Sequence, residues 1–471
     1  MQQIDLDTAI AKSWDVVVVG TSFAAQFFVS ALPKELNVLL VEKGPFLTHQ
    51  DLLDQGGFAP DELLMDNRSG RRKEFVARSL YGGNSNCWAG QTPRFMPTDF
   101  TLFEDTGRGA DWPLRYADLE PFYTEVEAHM EMAGDRERSP WPMSQPYPFP
   151  AHALARNDTR CVVERPDIWT PQPTARSNGG RRATCCDSEV CALCPVDAKF
   201  TILNDEGRLL GPKASILVNH EVDRVLHQNG RAGGVILKSG DGSAQQINAG
   251  IVALAANAIQ NPAILMRSGI TMPALGRYLH EQVGRYIDLY TDQPGYFGGS
   301  LNTSTCHAFW SEGYDRRERG AVMITNNNRR VPPRADIGRW TEVMGLKLVA
   351  DDEPIEENRV ELDEDGRARI IWVGHSDYAV KGLDYAESEL QSILPFKIER
   401  VVRTLDLATE FHIQGTHRMG TDADNAVTDA NCRIFGFENL FALGAGSFAT
   451  CSPANPTLTL SAISLKAGRS L

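Results

Sequence analysis

The stretch 14–42, WDVVVVGTSFAAQFFVSALPKELNVLLVE, decides the fold of this chain. VVVVG is a short apolar run that predicts a buried strand ending at Gly20. FAAQFFVSAL has helical spacing, and NVLLVE predicts a second buried strand with Glu42 at its end. A strand, helix and strand in this order predict a βαβ unit, and therefore a parallel sheet.

The turn after the first strand resembles a dinucleotide-binding fingerprint. Its three small positions are Gly20, Ser22 and Ala25. The first glycine of such a motif makes the tight turn, the second admits the pyrophosphate, and the third lets the helix pack on the strand. Ser22 adds a side chain at the second position, so an ordinary parallel-sheet unit is an alternative. Glu42, 22 residues beyond Gly20, stands where a carboxylate binds ribose hydroxyls, although a solvated strand end is its alternative role.

Two further segments are rich in small residues. The first is YGGNSNCWAG at 81–90, where Gly82 and Gly83 let the backbone pass close to a flat ligand and Asn84 supplies a polar group. A plain turn is the alternative. The second is VALAANAIQNPAILMRSG at 252–269, which predicts a strand and then a helix. Its small residues fit either a cofactor contact or tight helix packing.

Composition narrows the class of protein. The chain has 471 residues, 42% of them hydrophobic, and a formal net charge of −14. This size supports a large core, and the charge argues against nucleic acid or an anionic membrane as a partner. The sequence has no apolar run of eighteen residues, so we expect no membrane span. The amino terminus lacks the features of a signal peptide, so we expect a cytoplasmic protein by default, although export with a partner subunit would leave no trace here.

Four of the nine cysteines stand within ten positions, in ATCCDSEVCALCPVDAK. They are Cys185, Cys186, Cys191 and Cys194. Gaps of two and four residues let one loop wrap its sulfurs around a soft metal, which predicts an iron–sulfur or zinc site. A metal-free or disulfide-closed loop is the alternative.

Four blocks of the chain, 14–44, 78–100, 250–285 and 408–467, resemble the glucose-methanol-choline (GMC) oxidoreductases, a family of flavin-dependent alcohol oxidases and dehydrogenases. In FHIQGTHRMG, His412 precedes x-x-Gly-Thr as the family's catalytic base does, and Asn455 in SPANPTLT matches the second catalytic position. The resemblance implies that His412 removes the hydroxyl proton of an alcohol while hydride moves to flavin N5. Asn455 would hydrogen-bond the same substrate oxygen.

The resemblance also implies FAD as the cofactor and an α/β fold, in which a Rossmann-like FAD-binding domain carries an inserted antiparallel-sheet substrate domain. The implied domain boundaries are 1–100, 196–284 and 408–471 for the FAD-binding domain, and 101–195 and 285–407 for the substrate domain. Segments such as AVMITNNN, GLKLVADD, NRVELDEDG and ARIIWVG fit the antiparallel sheet. The implied cofactor contacts are Gly20, Ser22, Ala25, Glu42, Gly82, Gly83, Asn84, Cys87, Val222, Ala255, Gly444, Ala445, Asn455, Pro456 and Thr457.

Several positions depart from the family pattern or carry two interpretations. The family usually has glycine where this chain has Asn257. Cys87 stands where members with a covalently attached flavin have histidine. Cys87 either forms a thioether to the flavin or is a small buried thiol beside a non-covalent flavin. His417 is assigned to the flavin environment, with a structural role as the alternative. Asp118, before Leu119 and Glu120, is expected to cap a helix.

The cysteine loop is similar to an insert in the sugar-oxidising branch, which includes pyranose oxidase and the catalytic subunits of FAD-dependent glucose dehydrogenase, where cysteines hold a three-iron cluster. The resemblance implies a [3Fe-4S] rather than a [4Fe-4S] cluster, with Cys185, Cys191 and Cys194 preferred as ligands and Cys186 a spare or a fourth. Electrons would then leave to an acceptor protein or small subunit, and the enzyme would be a dehydrogenase of a sugar, polyol or related alcohol. An oxygen-using oxidase that releases hydrogen peroxide and a non-catalytic flavin-binding electron-transfer subunit are the alternatives.

Overall fold

The computed structural model describes residues 2–238, 245–293, 300–328 and 339–471. Two large sheets organise this part of the chain, one mostly parallel and one antiparallel. This confirms the predicted α/β class with a second, antiparallel sheet. The gaps at 239–244, 294–299 and 329–338 fall within the predicted domain segments 196–284 and 285–407 and lie outside the described residues.

The mostly parallel sheet contains the βαβ unit expected at the start of the chain. Ser13–Val19 and Val38–Val41 pair in parallel, and Phe23–Ala31 is the helix between them. These short apolar runs are buried on both faces, as central strands of a parallel sheet must be. In order across the sheet the strands are Gln2–Gln3, Ala214–Leu217, Val38–Val41, Ser13–Val19, Gln245–Leu254, Arg231–Leu237 and Val222–Gln228, and Leu440–Ala442 also pairs with Gln245–Leu254.

The antiparallel sheet is built mainly from the later half of the chain. Val283–Thr291 lies near one edge and pairs along its length with Val343–Ala350 and Ile398–Asp406. In order the strands are Ile398–Asp406, Val283–Thr291, Val343–Ala350, Val322–Asn326, Ser304–Phe309 and Trp169–Pro171. A separate apolar cluster, which includes Ile287, Leu346 and Leu348, lies against this sheet.

Two strands expected in the antiparallel sheet lie elsewhere. Arg359–Leu362 and Ala368–Trp372 form a three-stranded sheet with Leu64–Asn67. Their apolar side chains pack in a small cluster with Phe75 and Leu279. The sequence therefore predicted these strands correctly but assigned them to the wrong sheet.

The helices cover the faces of these sheets. The carboxy-terminal helix Thr457–Arg469 packs closely on Phe23–Ala31, since a Cβ at Gly468 would lie 2.3 Å from the carbonyl oxygen of Phe28. The α-helices are Leu6–Ala11, Phe23–Ala31, His49–Asp54, Leu102–Thr106, Tyr116–His129, Arg156–Glu164, Asn257–Arg267, Asp377–Ser388, Leu390–Ile393 and Thr457–Arg469. Short 3-10 turns span Gly83–Asn86, Pro97–Asp99, Trp340–Glu342 and Ala445–Ser447, and Ala133–Gly134 pairs with Phe149–Pro150.

The predicted cap at Asp118 needs a correction. The helix begins at Tyr116 with Arg115 as its N-cap residue, so Asp118 lies inside the first turn. Its carboxylate accepts the backbone N–H of Arg115 at 2.8 Å. Asp118 therefore supports the helix start from within, a stabilising position for an acidic residue. In the described part of the chain, no helix is long and apolar enough to cross a membrane.

Candidate active site

A large cavity opens at the carboxyl ends of the parallel strands, between the first βαβ unit and the start of the helix Asn257–Arg267. Its empty volume is about 760 Å³ including the open mouth. Ligands bind at this edge in open α/β sheets. Its walls include predicted cofactor contacts from the βαβ unit, from the segment 81–90, from the start of the strand Val222–Gln228 and from the residue after Gln245–Leu254. These contacts are Gly20, Ser22, Glu42, Gly83, Asn84, Val222 and Ala255.

Gly20 forms the tight turn at the floor of the cavity. Its φ is +100°, and a Cβ there would lie 2.5 Å from the carbonyl oxygen of Ala255. Only glycine fits a left-handed residue so close to another backbone. Ser22 is the N-cap residue of Phe23–Ala31 but makes no capping hydrogen bond through its side chain. The first backbone N–H groups of that helix therefore remain without a side-chain cap, as an anion site requires.

Thr21 joins Glu42 to the segment 81–90. The Thr21 hydroxyl donates to Glu42 Oε2 at 2.5 Å and accepts the backbone N–H of Gly82 at 2.9 Å. Glu42 Oε1 accepts the N–H of Gly44 at 3.1 Å. Burial raises the pKa of Glu42 to about 7, although these hydrogen bonds favour its charged form. Sequence reasoning missed Thr21, which fixes the carboxylate at the cavity wall.

Asn257, the unexpected residue in the third small-residue segment, adopts a glycine-like conformation. Its φ is +78°, in the left-handed region that asparagine tolerates better than most residues. Its Oδ1 accepts the backbone N–H groups of Ile259 and Gln260 at 2.8 and 3.0 Å. Asn257 therefore takes up a conformation that suits glycine, and its side chain adds a hydrogen-bonded start to the helix.

His412 follows the strand Ile398–Asp406 in the chain and contacts Gln282. Its Nδ1 is 3.1 Å from Gln282 Oε1. Burial lowers the pKa of His412 to about 4 despite the nearby charge of Glu281, so the imidazole is neutral at pH 7. A neutral imidazole is the form that accepts a proton.

Glu281 holds the backbone of the same segment. Glu281 Oε1 accepts the N–H groups of His412 at 3.0 Å and Glu410 at 2.8 Å, and the hydroxyl of Thr409 at 2.8 Å. Its other oxygen contacts the ammonium group of Lys73, and both side chains are almost fully buried. Burial opposes the charge on Glu281, but Lys73 and these hydrogen bonds outweigh it and lower its pKa.

Asn455 directly follows Ala454, whose backbone is bound by the same Gln282 side chain that contacts His412. Gln282 Nε2 donates to the carbonyl oxygens of Ser452 and Ala454, at 2.9 Å each, while its Oε1 contacts His412. Gln282 therefore links the two segments that the sequence singled out as catalytic. Among the described residues, the buried Oδ1 of Asn455 has no hydrogen-bond partner, which is an unusual condition for a buried polar atom outside a functional site.

The remaining predicted contacts lie near these elements but do not line the large cavity. The strand Leu440–Ala442 leads to Gly444, whose φ is +93°. The turn Ala445–Ser447 follows directly. Ala25 is buried within its helix. Pro456 and Thr457 stand at the start of the carboxy-terminal helix, and Cys87 is a free, half-buried thiol after Gly83–Asn86.

His417 makes contacts with the turn Ala445–Ser447 and with the helix Asn257–Arg267. It is fully buried, and its Nε2 lies 3.1 Å from Asn261 Nδ2. A Cβ at Gly446 would lie only 2.0 Å from the same Nε2. Burial lowers the pKa of His417 to about 3. A neutral His417 therefore packs against the turn Ala445–Ser447 and joins it to the helix that contains Asn261.

The four clustered cysteines line one small cavity together with Arg176 and Lys199. Cys191 Sγ is 3.7 Å from Arg176 Nη1, and Cys194 Sγ accepts the N–H of Ala198 at 3.3 Å. All four thiols are free. The described residues contain no group of three His, Cys, Asp or Glu side chains arranged to hold a metal ion. The predicted metal site at Cys185, Cys186, Cys191 and Cys194 therefore has no support in the described geometry.

Lys199 connects the cysteine loop to the segment 81–90. Its ammonium group donates to the carbonyl oxygens of Asn86, Trp88 and Ala192, at 3.1, 2.7 and 2.9 Å. Burial lowers the pKa of Lys199 to about 8. Three donors meet three acceptors, so the backbone on both sides of Cys87 is tied to the cysteine loop.

Family models of the GMC oxidoreductases match two parts of the sequence, the amino-terminal model at 176–284 and the carboxy-terminal model at 317–464. The chain belongs to the GMC oxidoreductase family. Among similar GMC proteins, the fructose dehydrogenase large subunit of Gluconobacter japonicus is 24% identical, with 97% of each chain covered. The 6'''-hydroxyparomomycin C oxidase of Streptomyces lividus is 25% identical, covering 98% of this chain and 91% of its own.

Solved structures agree with the fold. Pyridoxine 4-oxidase from Mesorbium loti superposes with a TM-score of 0.67 at 18% identity, covering 97% of this chain and 99% of its own. Formate oxidase superposes with a TM-score of 0.68 at 14% identity, covering 99% and 98%. These likenesses show that this chain shares the fold of the two oxidases.

Proposed function

We propose that this GMC oxidoreductase uses FAD to oxidise a CH–OH group of a sugar, polyol or related alcohol. The observation that carries the proposal is the Gln282 contact, which joins the His412 segment to the Asn455 segment. It links the segment of a neutral, half-buried imidazole to that of an amide oxygen with no hydrogen-bond partner among the described residues. A base and a polar group that orients the alcohol are what such an oxidation needs.

The residues of the large cavity fit the adenosine and pyrophosphate parts of FAD. Gly20 leaves room for close approach, and Ser22 stands at an uncapped helix start that suits a phosphate. Glu42, held by Thr21, is the carboxylate expected to bind the ribose hydroxyls. When bound, FAD supplies the acceptor for the hydride of the alcohol.

The protein's own groups would act on the alcohol as follows. His412 takes the hydroxyl proton, which it can do because burial keeps it neutral over the physiological range. Asn455, whose buried Oδ1 has no hydrogen-bond partner among the described residues, would orient the substrate. Glu281 and Gln282 hold the base from its backbone and its ring. We further propose that segments 101–195 and 285–407 build the wall of the substrate site.

The proposal is tested by mixing the holoprotein anaerobically with a panel of sugars, polyols, cyclitols and simple alcohols and following the visible absorbance of the flavin. At least one substrate should bleach the flavin of the wild type. His412→Ala should slow bleaching by about 100-fold or more, the loss expected for a general base, while it retains FAD. His227→Ala, at an exposed histidine outside the site, is the matched control.

Two results would overturn the proposal. Rapid bleaching by His412→Ala would remove His412 as the base. No bleaching by any alcohol or sugar would favour a flavin-binding electron-transfer subunit without substrate chemistry.

Acid precipitation that releases all the flavin would show that Cys87 carries no covalent attachment.

We propose a dehydrogenase rather than an oxidase, and the relatives include both kinds. Two of the relatives are dehydrogenases: the fructose dehydrogenase large subunit and the 2-methyl-1,2-propanediol dehydrogenase of Mycolicibacterium austroafricanum. The latter is 24% identical, with 98% of this chain and 95% of the relative covered. A third relative, the 6'''-hydroxyparomomycin C oxidase, is an oxidase. Rapid reoxidation of the reduced flavin by air, with release of peroxide, would show an oxidase. Slow reoxidation by air and fast reoxidation by a dye would support the dehydrogenase.

An iron–sulfur cluster remains a prediction from the cysteine spacing, and a partner that accepts electrons remains one from the family resemblance. The described cysteines do not fit a cluster as they are placed, so we derive no electron path through them. Iron and acid-labile sulfide in stoichiometric amounts in the purified protein would restore the prediction. Their absence, or zinc in their place, would end it.

A further inference from the structure

We propose that Gln282 is a positioning residue that fixes the tautomer of His412, so that the proton sits on Nδ1 and Nε2 is left free to accept the proton of the alcohol. The inference rests on the proposed role of His412 as the base. It adds a residue on another part of the chain to that role, and it predicts a property of the imidazole that is measurable without substrate.

The orientation of the Gln282 amide follows from its other contacts. Its Nε2 lies 2.9 Å from the carbonyl oxygens of both Ser452 and Ala454. A carbonyl only accepts, so the amide must present its two N–H groups to this pair. The reversed amide would place three buried oxygens against one another. Its Oε1 therefore faces His412 and Gln414.

The orientation of the amide then decides the state of the imidazole. Gln282 Oε1 only accepts, and it lies 3.1 Å from His412 Nδ1, so Nδ1 must carry a hydrogen to form this bond. Gln414 Nε2 donates to the same oxygen at 3.0 Å, which fills its second lone pair. A neutral imidazole carries one proton, so the proton on Nδ1 leaves Nε2 with its lone pair.

The same side chain also sets the distance between the catalytic segments. Gln282 is almost fully buried, and it is followed at once by the strand Val283–Thr291, which is paired on both sides. A group on such a strand has little freedom to move. Gln282 therefore acts as a short rigid link between the ring of His412 and the backbone that precedes Asn455.

The direct test is ¹⁵N NMR of the purified holoprotein with ¹⁵N-labelled histidine at neutral pH. His412 is assigned as the imidazole whose signals are missing in His412→Ala. We expect a protonated Nδ1 and an unprotonated Nε2 in the wild type. Gln282→Met, which keeps the length but removes the acceptor, should show a mixture of tautomers or the opposite one.

Kinetics give the second measurement. Gln282→Met should lower the rate of flavin reduction by about 10- to 100-fold, between the loss of one hydrogen bond and the loss of a general base. Most of this loss should fall on kcat rather than on KM, because the binding of FAD and substrate needs no base. Gln391→Met, which also removes two hydrogen bonds between a glutamine and backbone but outside the site, should leave the rate within about twofold.

The outcomes separate this inference from the proposed function. If His412→Ala abolishes reduction while Gln282→Met keeps both the Nδ1 proton and the wild-type rate, the role of Gln282 is wrong and the base stands. An altered tautomer with an unchanged rate also overturns it. If His412→Ala reduces the flavin as fast as the wild type, the base assignment fails first, whatever Gln282 does.

Discussion

The buried pair of Glu281 and Lys73 gives the sharpest test of how the site is held. Glu281→Gln removes the negative charge but keeps an oxygen for the N–H groups of Glu410 and His412. The side chain of Glu281 is 0% exposed and that of Lys73 is 2% exposed. The variant therefore leaves a buried ammonium group without its counter-charge, which costs about 3–5 kcal/mol.

This loss is measurable by thermal unfolding of the FAD-loaded protein. The entropy of unfolding of a chain of this length is about 1 kcal/mol/K, so the midpoint should fall by about 3–5 °C. Lys73→Met combined with Glu281→Gln removes both charges and should recover a large part of the loss. Glu125→Gln is the control, because it breaks an ion pair with Arg469 that is half exposed on both sides and is worth at most about 1 kcal/mol.

A midpoint of Glu281→Gln equal to that of Glu125→Gln would refute the reasoning. A double variant no more stable than the single one would show that the effect comes from the hydrogen bonds of Glu281 rather than from its charge. The pKa of Glu281 is lowered in the folded protein. Its contribution to stability is therefore complete above about pH 4.5, the value of a free side chain, and is lost as the pH falls through the lower folded value.

Three more predictions follow from single residues. Burial lowers the pKa of His412 to about 4. The rate of flavin reduction should therefore stay level as the pH falls from 7 to about 5 and should drop with a midpoint near 4. A midpoint near 6.5 in stopped-flow measurements would contradict the burial argument. Gly20→Ala places a Cβ 2.5 Å from Ala255 O at a φ of +100°, so the purified variant should lose most of its FAD and unfold at a lower temperature, whereas retention of full FAD content would show that the turn adapts. Asn257→Gly should lower the free energy of unfolding by only a few tenths of a kcal/mol, while Asn257→Ala should lower it by about 2 kcal/mol because it combines the lost cap with a strained backbone. Equal urea midpoints for the two Asn257 variants would refute the left-handed assignment.

The sequence predicted the parts of the fold that depend on local pattern. The apolar run VVVV predicted the strand Ser13–Val19, and the helical spacing of FAAQFFVSAL predicted the helix Phe23–Ala31. Gly20 and Ser22 mark the turn between them. The partners of a strand are not local. Val360 and Ile370 have the alternation of a sheet strand, yet they pack with Phe75 in a separate cluster. Period shows that a strand exists but not which sheet receives it.

The cysteine loop shows the same limit for a site. Spacing in sequence indicates which sulfurs are able to reach one centre, but it does not show which other groups share the space. Arg176 and Lys199 also line the cavity, and neither stands in the pattern that suggested a metal. By contrast, Gly20, Ser22 and Glu42 lie along one turn and its neighbouring strand, so they line one wall of the large cavity.

The sequence did not identify Glu281 and Gln282 as the residues that hold His412, because they follow no motif and lie about 130 positions away from it. Glu281 and Gln282 are adjacent, and neighbouring residues of an extended chain point to opposite sides. One side chain therefore reaches the backbone N–H of His412 and the other its ring. Both start from the first residues before Val283–Thr291, a strand paired with Val343–Ala350 and Ile398–Asp406. The antiparallel sheet thus fixes the base from two directions, so a change that shifts this strand end should alter the chemistry of His412 even where it touches neither cofactor nor substrate.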